Sequence, residues 1–376
     1  MTESASDRAR YVMIGGFLGA GKSTSVGRFA RHLTDAGQTV GLITNDQASG
    51  LVDTRNLRSQ GFNVEEIAGG CFCCRFDSLR SAAEKLDADT RPDVFLAEPV
   101  GSCTDLVATV SYTLRRIYGD RFSVAPLSVL VDPARAARVL GLSGGRSFSK
   151  KVTYVYLKQL EEAQVLVINK VDTLDDLARH ELRRALSERF PDRPIFEISA
   201  REGSGMEPWF DHVLAHETTI AGPGLDIDYQ LYGEGEALLG WLNATLELSS
   251  PEVLDGNQLV HDLATALGRR LGEKGAEVAH LKMTLSPRGG WGDLALVNLV
   301  NLDFVPEVSE RLHSPVDGGQ LVVNLRAEAD PELLRQVVES ELAALELPAG
   351  AKLDLDHLEC FRPAQPRPTH RIVAGE

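Results

Sequence analysis

Three of the five cysteines in this 376-residue chain fall within four positions, Cys71-Phe72-Cys73-Cys74. They lie downstream of Gly16-Phe17-Leu18-Gly19-Ala20-Gly21-Lys22-Ser23, which fits the pattern G-x-x-x-x-G-K-[ST] in full. The first group is soft-metal chemistry and the second is phosphate chemistry. Their conjunction implies that nucleotide state and metal occupancy are coupled.

In the phosphate loop, glycines at 16, 19 and 21 let backbone N–H groups turn inward around phosphate oxygens, with Ala20 between the last two. The helix that starts at Lys22 adds a favourable dipole. Lys22 reaches the β- and γ-phosphates, the Ser23 hydroxyl suits Mg²⁺, and the loop closes at Thr24. Further along, Asn169-Lys170-Val171-Asp172 follows an apolar strand. An aspartate there accepts hydrogen bonds from N1–H and the exocyclic amine of guanine. Adenine offers neither donor, which favours GTP over ATP. Asn169 would brace neighbouring loops, the Lys170 stem would lie along the base, and the Ser199-Ala200 turn would offer backbone N–H to the guanine carbonyl.

Two acids end strands that point the same way. Asp46 follows Thr44-Asn45, and Glu98 opens Glu98-Pro99-Val100-Gly101. An acid at a strand end can hold Mg²⁺ directly or through water, and the Gly101 N–H could sense the γ-phosphate. Lys22, Asp46 and Glu98 are thus the candidates for the phosphate chemistry. Glu98 as a helix N-terminal acid and Asn45-Asp46 as a turn former are the plainer alternatives.

Residues two apart point the same way in extended chain, so Cys71 and Cys73 can share an ion. Cys74 joins only if the chain turns, which Gly69-Gly70 can assist. Three thiolates favour Zn²⁺ or Cu(I), with Co²⁺ or Ni²⁺ compatible on ligand softness. Buried apolar thiols and a redox dithiol are the alternatives. Cys103 and Cys360 read as packing residues, and His212 and His216, at helical spacing, as solvent-facing or packing ones.

The elements that must position these groups alternate. Strands are expected at 11–16, 40–45, 63–68, 93–99, 127–132, 165–170 and 194–200, with helices between most of them, including 22–36, 104–118, 174–190 and 206–215. Alternation with apolar strands implies an α/β domain with a parallel sheet covered on both faces, whose ligands sit at the carboxyl ends of the strands. Ala221-Gly222-Pro223-Gly224 reads as a linker. It divides a nucleotide-binding domain, 1–222, from a smaller α+β domain, 223–376. In the latter, strands at 237–248, 278–285, 294–301, 320–326 and 352–361 accompany helices at 257–272 and 331–345. The proline-rich tail from Pro363 is expected to be loosely ordered.

Composition sets the bounds. Hydrophobic residues make up 43% and charged residues 25%, ordinary for a globular chain. A formal net charge of -15 discourages docking on nucleic acid or anionic membrane. The polar N-terminus lacks the apolar stretch of a secretory leader, so a cytoplasmic protein with reduced thiols is expected.

The phosphate loop, Thr44-Asn45-Asp46, Cys71–Cys74, Glu98-x-x-Gly101 and Asn169–Asp172 occur in an order that resembles the CobW-type metallochaperone GTPases. That group is related to the hydrogenase and urease nickel-insertion GTPases. The motifs cover the first half, and Ala279-His280-Leu281-Lys282 carries a weaker likeness in the second. The resemblance implies a GTPase of the P-loop fold, slow without a partner, that binds zinc, cobalt or another transition metal at the cysteines and delivers it to a client metalloprotein. It implies that Lys22, Ser23, Asp46 and Glu98 serve phosphate and Mg²⁺. It also implies that Glu66 assists the metal or its coupling to the switch, and that GTP could drive homodimerisation. Three departures stand out: Gly69-Gly70 where the family often has Asn-Gly, Gln47-Ala48-Ser49-Gly50 where many members carry Phe-Gly-Glu, and no histidine-rich tract. A GTP-dependent chaperone of a cofactor enzyme, such as a corrinoid enzyme, and a nucleotide-sensing interaction protein with structural cysteines are the alternative functions.

Overall fold

Strand β1 (Ala9–Gly16) is the axis of the first sheet, and its side chains are buried from Arg10 onward. The computed structural model describes residues 8–46, 60–219, 224–289 and 293–373, together with Thr54, Leu57 and Arg58. The chain forms two compact units. One is built from the described residues up to Asp46, Gly61–Gly233 and the segment from Pro366 onward, and the other on Glu234–Gln365. The division falls at 233/234 rather than at the 222/223 linker, and residues 366 onward belong with the first unit.

In the first unit the strands are β2 (Val40–Asp46), β3 (Val64–Ala68), β4 (Val94–Glu98), β5 (Phe122–Val124), β6 (Ser128–Val131), β7 (Val165–Ile168) and β8 (Ile195–Glu197). With β1 they form an all-parallel sheet of order β3-β2-β4-β1-β6-β7-β8, and the short β5 pairs with the start of β1. Every residue of β4, β6 and β7 is buried, as a strand covered on both faces requires. The covering helices are α1 (Lys22–Asp35), α2 (Phe76–Thr90), α3 (Tyr112–Tyr118, entered through a π-turn at Val107–Ser111), α4 (Pro133–Val139), α5 (Lys150–Glu162), α6 (Asp176–Arg189) and α7 (Met206–Ala215). Helix α1 buries Val26, Phe29, Ala30 and Leu33, an i, i+3, i+4, i+7 stripe, and Phe29 stacks on Phe210 of α7 at 4.0 Å. Registers such as Thr44↔Glu98, Asp46↔Ala68 and Val131↔Ile168 bring the carboxyl ends of the strands to one edge. Gly16, Asp46, Ala68, Glu98 and Ile168 therefore feed the functional loops from a common rim.

The second unit begins in α8 (Tyr229–Leu238), where a strand was expected from 237. Its strands are β9 (Leu239–Leu254), β10 (Glu277–Pro287), β11 (Ala295–Leu299), β12 (Glu307–Glu310), β13 (Val316–Glu328) and β14 (Lys352–Phe361). They make an antiparallel sheet of order β12-β11-β10-β13-β9-β14. Helices α9 (Gly256–Glu273) and α10 (Pro331–Ala344) bury Leu259, Leu263, Leu267, Leu334 and Val337 in one core with Leu246, Leu281 and Leu325. Asp255 and Asp330 cap these helices through their carboxylates. The α/β class, with a smaller α+β unit after it, is as the alternation and its later loss imply. Of the linker only Gly224 is among the described residues.

Candidate functional site

The phosphate loop has the backbone its glycines imply. Gly16, Gly19 and Gly21 have φ of 131°, 78° and 91°. A Cβ at Gly16 would sit 2.6 Å from the Leu130 carbonyl oxygen, and one at Gly21 would overlap the Asn169 side-chain amide. The Lys22 ammonium donates to the Phe17 carbonyl at 3.3 Å, and the Ser23 hydroxyl donates to Glu98 Oε1 at 3.0 Å. Phe17 is locked by the Tyr156 ring and lies under the Arg135 guanidinium, 5.0 Å from its ring centre. Two hard oxygens, from Ser23 and Glu98, thus meet beside the loop, which fits Mg²⁺. Gly101 packs against the same loop, since a Cβ there would lie 2.9 Å from the Leu18 nitrogen. Thr24 follows in the first turn of α1.

The Asn169–Asp172 segment clamps that loop from the other side. Asn169 Nδ2 donates to the Ala20 carbonyl at 2.8 Å, while its Oδ1 accepts from the N–H groups of Lys170 and Ala200 at 2.8 and 3.0 Å. Lys170, at φ 58°, donates through its ammonium to Gly19 O and to Asp132 Oδ2, both at 2.7 Å. Burial alone would raise the Asp132 carboxyl, but Lys170 and Arg135 reverse this and hold it below the usual carboxylate range. Asp172 stands exposed just beyond. The N–H groups of Ser199 and Ala200 are both engaged within the protein, to Ser204 O and Asn169 Oδ1, so this turn is fixed by its own hydrogen bonds.

At the thiol motif the chain leaves β3 through Gly69 and Gly70, with φ of 77° and 150°. It then turns, the N–H groups of Cys74 and Arg75 both donating to the Cys71 carbonyl. That turn brings in the third thiol. The Sγ–Sγ distances are 2.9 Å for 71–73, 3.2 Å for 71–74 and 3.6 Å for 73–74. A tetrahedral zinc with Zn–S bonds of about 2.3 Å has S···S edges of about 3.8 Å, so a slight opening admits the ion. The Arg75 guanidinium braces the turn on Gly69 O. Asn45 Nδ2 donates to Ile67 O and Gly70 O at 2.9 and 2.7 Å, tying β2 to the glycine pair. The backbone of Asp46 ends β2 opposite Ala68; its side chain and residues 47–50 lie outside the described residues. Glu66 sits on β3 and does not join the three thiols as a converging ligand group among the described residues.

Two features were not expected. Cys103, read as a packing thiol, acts on the thiols of Cys71 and Cys73, though the group whose ligand atoms converge is Cys71, Cys73 and Cys74 without it. That influence, with further contacts from Cys73 and Cys74, draws the Cys71 thiol well below the ordinary thiol value. Cys73 is held well above it by the same partners, and Cys74 is pushed up to about 11, chiefly by Cys71. The three thiols are therefore unequal, Cys71 being the readiest to ionise, and a bound metal would displace the protons that remain. Second, the proline-rich tail is docked. The Arg367 N–H donates to Cys74 Sγ at 3.1 Å, Thr369 N–H to Cys73 O at 2.9 Å, and the Thr369 hydroxyl to Cys74 O at 3.2 Å. Arg371 pairs with Asp105 at 2.8 Å, and His370 meets Phe76 edge-on. No signal short of these contacts distinguishes Cys103 or the tail in sequence. His212 and His216 stack on each other, and His216 Nδ1 bonds the His212 carbonyl, as packing residues would.

The family model described as CobW/HypB/UreG, nucleotide-binding domain, matches residues 10–197. The zinc chaperone CobW of Sinorhizobium sp is 25% identical over 211 residues, 51% of this chain and 58% of the relative. The zinc chaperone YeiR of Escherichia coli (strain K12) is 32% identical over 90 residues, 24% of this chain and 27% of the relative. The chain thus spans less than two thirds of the length of either. Among solved structures, HypB from Helicobacter pylori in complex with nickel is similar at 18% identity over 58% of this chain and 93% of that one, with a TM-score of 0.42. No helix among the described residues is long and apolar enough to cross a membrane.

Proposed function

Because this chain belongs to the CobW/HypB/UreG family of nucleotide-binding proteins, we propose that it is a slow GTPase that carries a transition-metal ion on Cys71, Cys73 and Cys74 and hands it to a client metalloprotein. Zinc is the favoured cargo, on the donor set and on the two relatives named as zinc chaperones, with cobalt the next choice. GTP would lie with its phosphates over residues 16–24 and its guanine on Asp172, beside Asn169, Lys170 and the Ser199-Ala200 turn. Mg²⁺ would be held by Ser23 with Glu98, and Asp46 would assist. When bound it neutralises charge on the β- and γ-phosphates. Lys22 leaves the Phe17 carbonyl for those phosphates, and Gly101 N–H faces the γ-phosphate. Glu66 remains a candidate for coupling the switch to the thiols rather than for binding the ion.

The observation that supports coupling best is the pair Asn45 and Glu98, on adjacent parallel strands. Asn45 holds the glycine pair that launches the thiol turn, and Glu98 holds Ser23 of the phosphate loop. A shift at either strand end on nucleotide exchange is felt at both sites. No general base at the phosphates is identified among the described residues, so rapid turnover calls for a partner, either the client or a second copy of the chain.

The test is zinc affinity and stoichiometry of the wild type and a Cys71/Cys73/Cys74→Ser variant, in GDP and in a non-hydrolysable GTP analogue. One ion per chain, lost in the variant and held with different affinity in the two nucleotide states, is expected. Equal affinity in both states would sink the coupling, and full binding by the variant would sink the metal site.

A further inference from the structure

The segment that starts at Pro366 runs across the thiol turn and the chain that leaves β4, and it is held at both. At the thiol end the Arg367 N–H reaches Cys74 Sγ at 3.1 Å. Thr369 donates its N–H to Cys73 O at 2.9 Å and its hydroxyl to Cys74 O at 3.2 Å. The His370 ring meets Phe76, the first residue of α2, edge-on at 5.2 Å. At the other end the Ile372 N–H donates to Ala108 O at 2.9 Å, and the Arg371 guanidinium donates to Asp105 Oδ2 and Leu225 O at 2.8 and 2.7 Å. Cys71 and Cys73 are buried, and Cys74 is the partly exposed thiol of the three. The segment therefore lies on the ligand nearest solvent.

We propose that residues 366–373 are a strap that gates passage of the cargo ion to and from Cys71, Cys73 and Cys74, with the Arg371–Asp105 pair as its latch. This rests on reading the three cysteines as a transition-metal site. Their sulfurs lie 2.9 to 3.6 Å apart, closer than the edges of a zinc–thiolate tetrahedron, so loading requires the turn to open. The strap ties that turn at two of its three ligand residues.

The latch joins a fixed post to a movable segment. Asp105 is 1% exposed and stands at φ 60°, and its carbonyl accepts from both the N–H and the hydroxyl of Thr109. The Tyr229 hydroxyl donates to the same carboxylate oxygen as Arg371, at 2.5 Å, while the other oxygen is buried with no hydrogen-bond partner among the described residues. Around this post Gln159 of α5 holds the carbonyls of Gly101 and Cys103, and Glu162 of the same helix accepts from the Leu106 N–H. Residues 366–373, in contrast, form neither helix nor strand. Isolated main-chain bonds of such a segment open locally at small cost, whereas a buried carboxylate deprived of its cation is poorly compensated. Arg371 is therefore the contact that sets how often the strap lifts.

The experiment uses the full, reduced chain as wild type, Arg371→Ala, Arg371→Lys and the triple Cys71/Cys73/Cys74→Ser variant, with a chain ending at Gln365 as a second way to remove the latch. Stopped-flow mixing with Zn²⁺ gives the capture rate, mixing of the loaded protein with excess chelator gives the release rate, and chelator competition gives the dissociation constant. Binding of a fluorescent GTP analogue and the thermal midpoint of the metal-free protein serve as fold controls. A strap open about a tenth of the time or less slows passage in both directions, so Arg371→Ala should speed capture and release together by about tenfold. The dissociation constant should move much less than either rate, because the latch touches neither the ion nor its ligands. Arg371→Lys, which keeps the charge, should fall between Arg371→Ala and wild type, and the shortened chain should exchange zinc at least as fast as Arg371→Ala. Unchanged rates in either folded latch-free protein would overturn the proposal. So would faster release with unchanged capture, which is the pattern of losing the amide donor to Cys74 without any gate. Zinc bound by the triple variant as by the wild type would instead defeat the reading on which the proposal rests.

Discussion

The side-chain amide of Asn45 donates to the carbonyl of Gly70 at 2.7 Å, joining the end of one strand to the hinge from which the cysteine motif departs. Asn45 is buried and makes a second such bond, to Ile67 O. The residue next to it in sequence is Asp46, the candidate acid at the phosphates. Under the proposed function, one strand end would serve the thiol turn through Asn45 and the phosphates through Asp46.

Replacing Asn45 with Ala leaves two carbonyls at the hinge without their donor, at about 1–3 kcal/mol for a buried group. Zinc affinity should fall about tenfold, and the difference in affinity between GDP and a GTP analogue should shrink. Chelator competition in both nucleotide states measures this. Unchanged affinity and an unchanged difference would show that Asn45 only fills space.

Asp172→Ala removes the proposed acceptor for guanine while leaving the Asn169 and Lys170 clamp on the phosphate loop intact. GTP affinity should drop about a hundredfold or more, with little change in thermal midpoint, because a site built to pair polar groups discriminates strongly when one is missing. Titration with a fluorescent GTP analogue checks it. Full GTP affinity in the variant would place the base elsewhere.

Glu162 gives a pH dependence with a definite sign. Burial pushes its carboxyl well above the usual range, and the charge of Asp105 adds to this, against hydrogen bonds from Thr104, Leu106 and Val107. Asp105 is itself raised by burial. A raised folded value means that the native state holds a proton the unfolded chain has released. Stability is therefore lost as pH rises from about 4.3, the ordinary glutamate value, through the folded value, by about 1.4 kcal/mol for each unit of separation. Glu162→Gln keeps an acceptor for Leu106 N–H and removes the ionisation. Its advantage over the wild type in denaturant midpoint should grow between pH 4.5 and 8. A constant difference across that range would mean that Glu162 is not protonated in the fold.

Removing residues 366–376 takes away the Arg367, Thr369 and Arg371 contacts on the motif and on Asp105. Cys74, partly exposed even with the tail in place, should then be alkylated several-fold faster in the metal-free protein. Zinc should also dissociate faster, as loss of an outer-shell donor to a ligand sulfur predicts. Peptide mapping after timed alkylation and stopped-flow chelation measure the two rates. Equal rates with and without the tail would assign it a purely packing role.

Much of the site was legible because its parts are contiguous. The phosphate loop declares itself through glycines at positions that need positive φ. Lys22 and Ser23 follow at the start of a helix. Asn169–Asp172 follows an apolar strand of the alternating pattern. The thiol turn could be anticipated from Gly69-Gly70, which permit the bend that brings Cys74 to Cys71. In the second unit, where strands and helices no longer alternate, boundaries were harder to place. Helix α8 carries the chain into Leu239, where the apolar pattern alone suggested that a strand had already begun.

By itself, then, the sequence determined a nucleotide-binding loop, a run of three cysteines suited to a soft metal, and an α/β unit followed by an α+β one. Each of these is written in a short run of residues under local backbone constraints. Only the tertiary structure decided that Asn45 holds Gly70 and that the tail lies on Cys74. These contacts join residues 25 to 295 positions apart. They exist because the parallel sheet brings the ends of β2, β3 and β4 to one rim. No local pattern marks a threonine in a proline-rich tail as a neighbour of that rim.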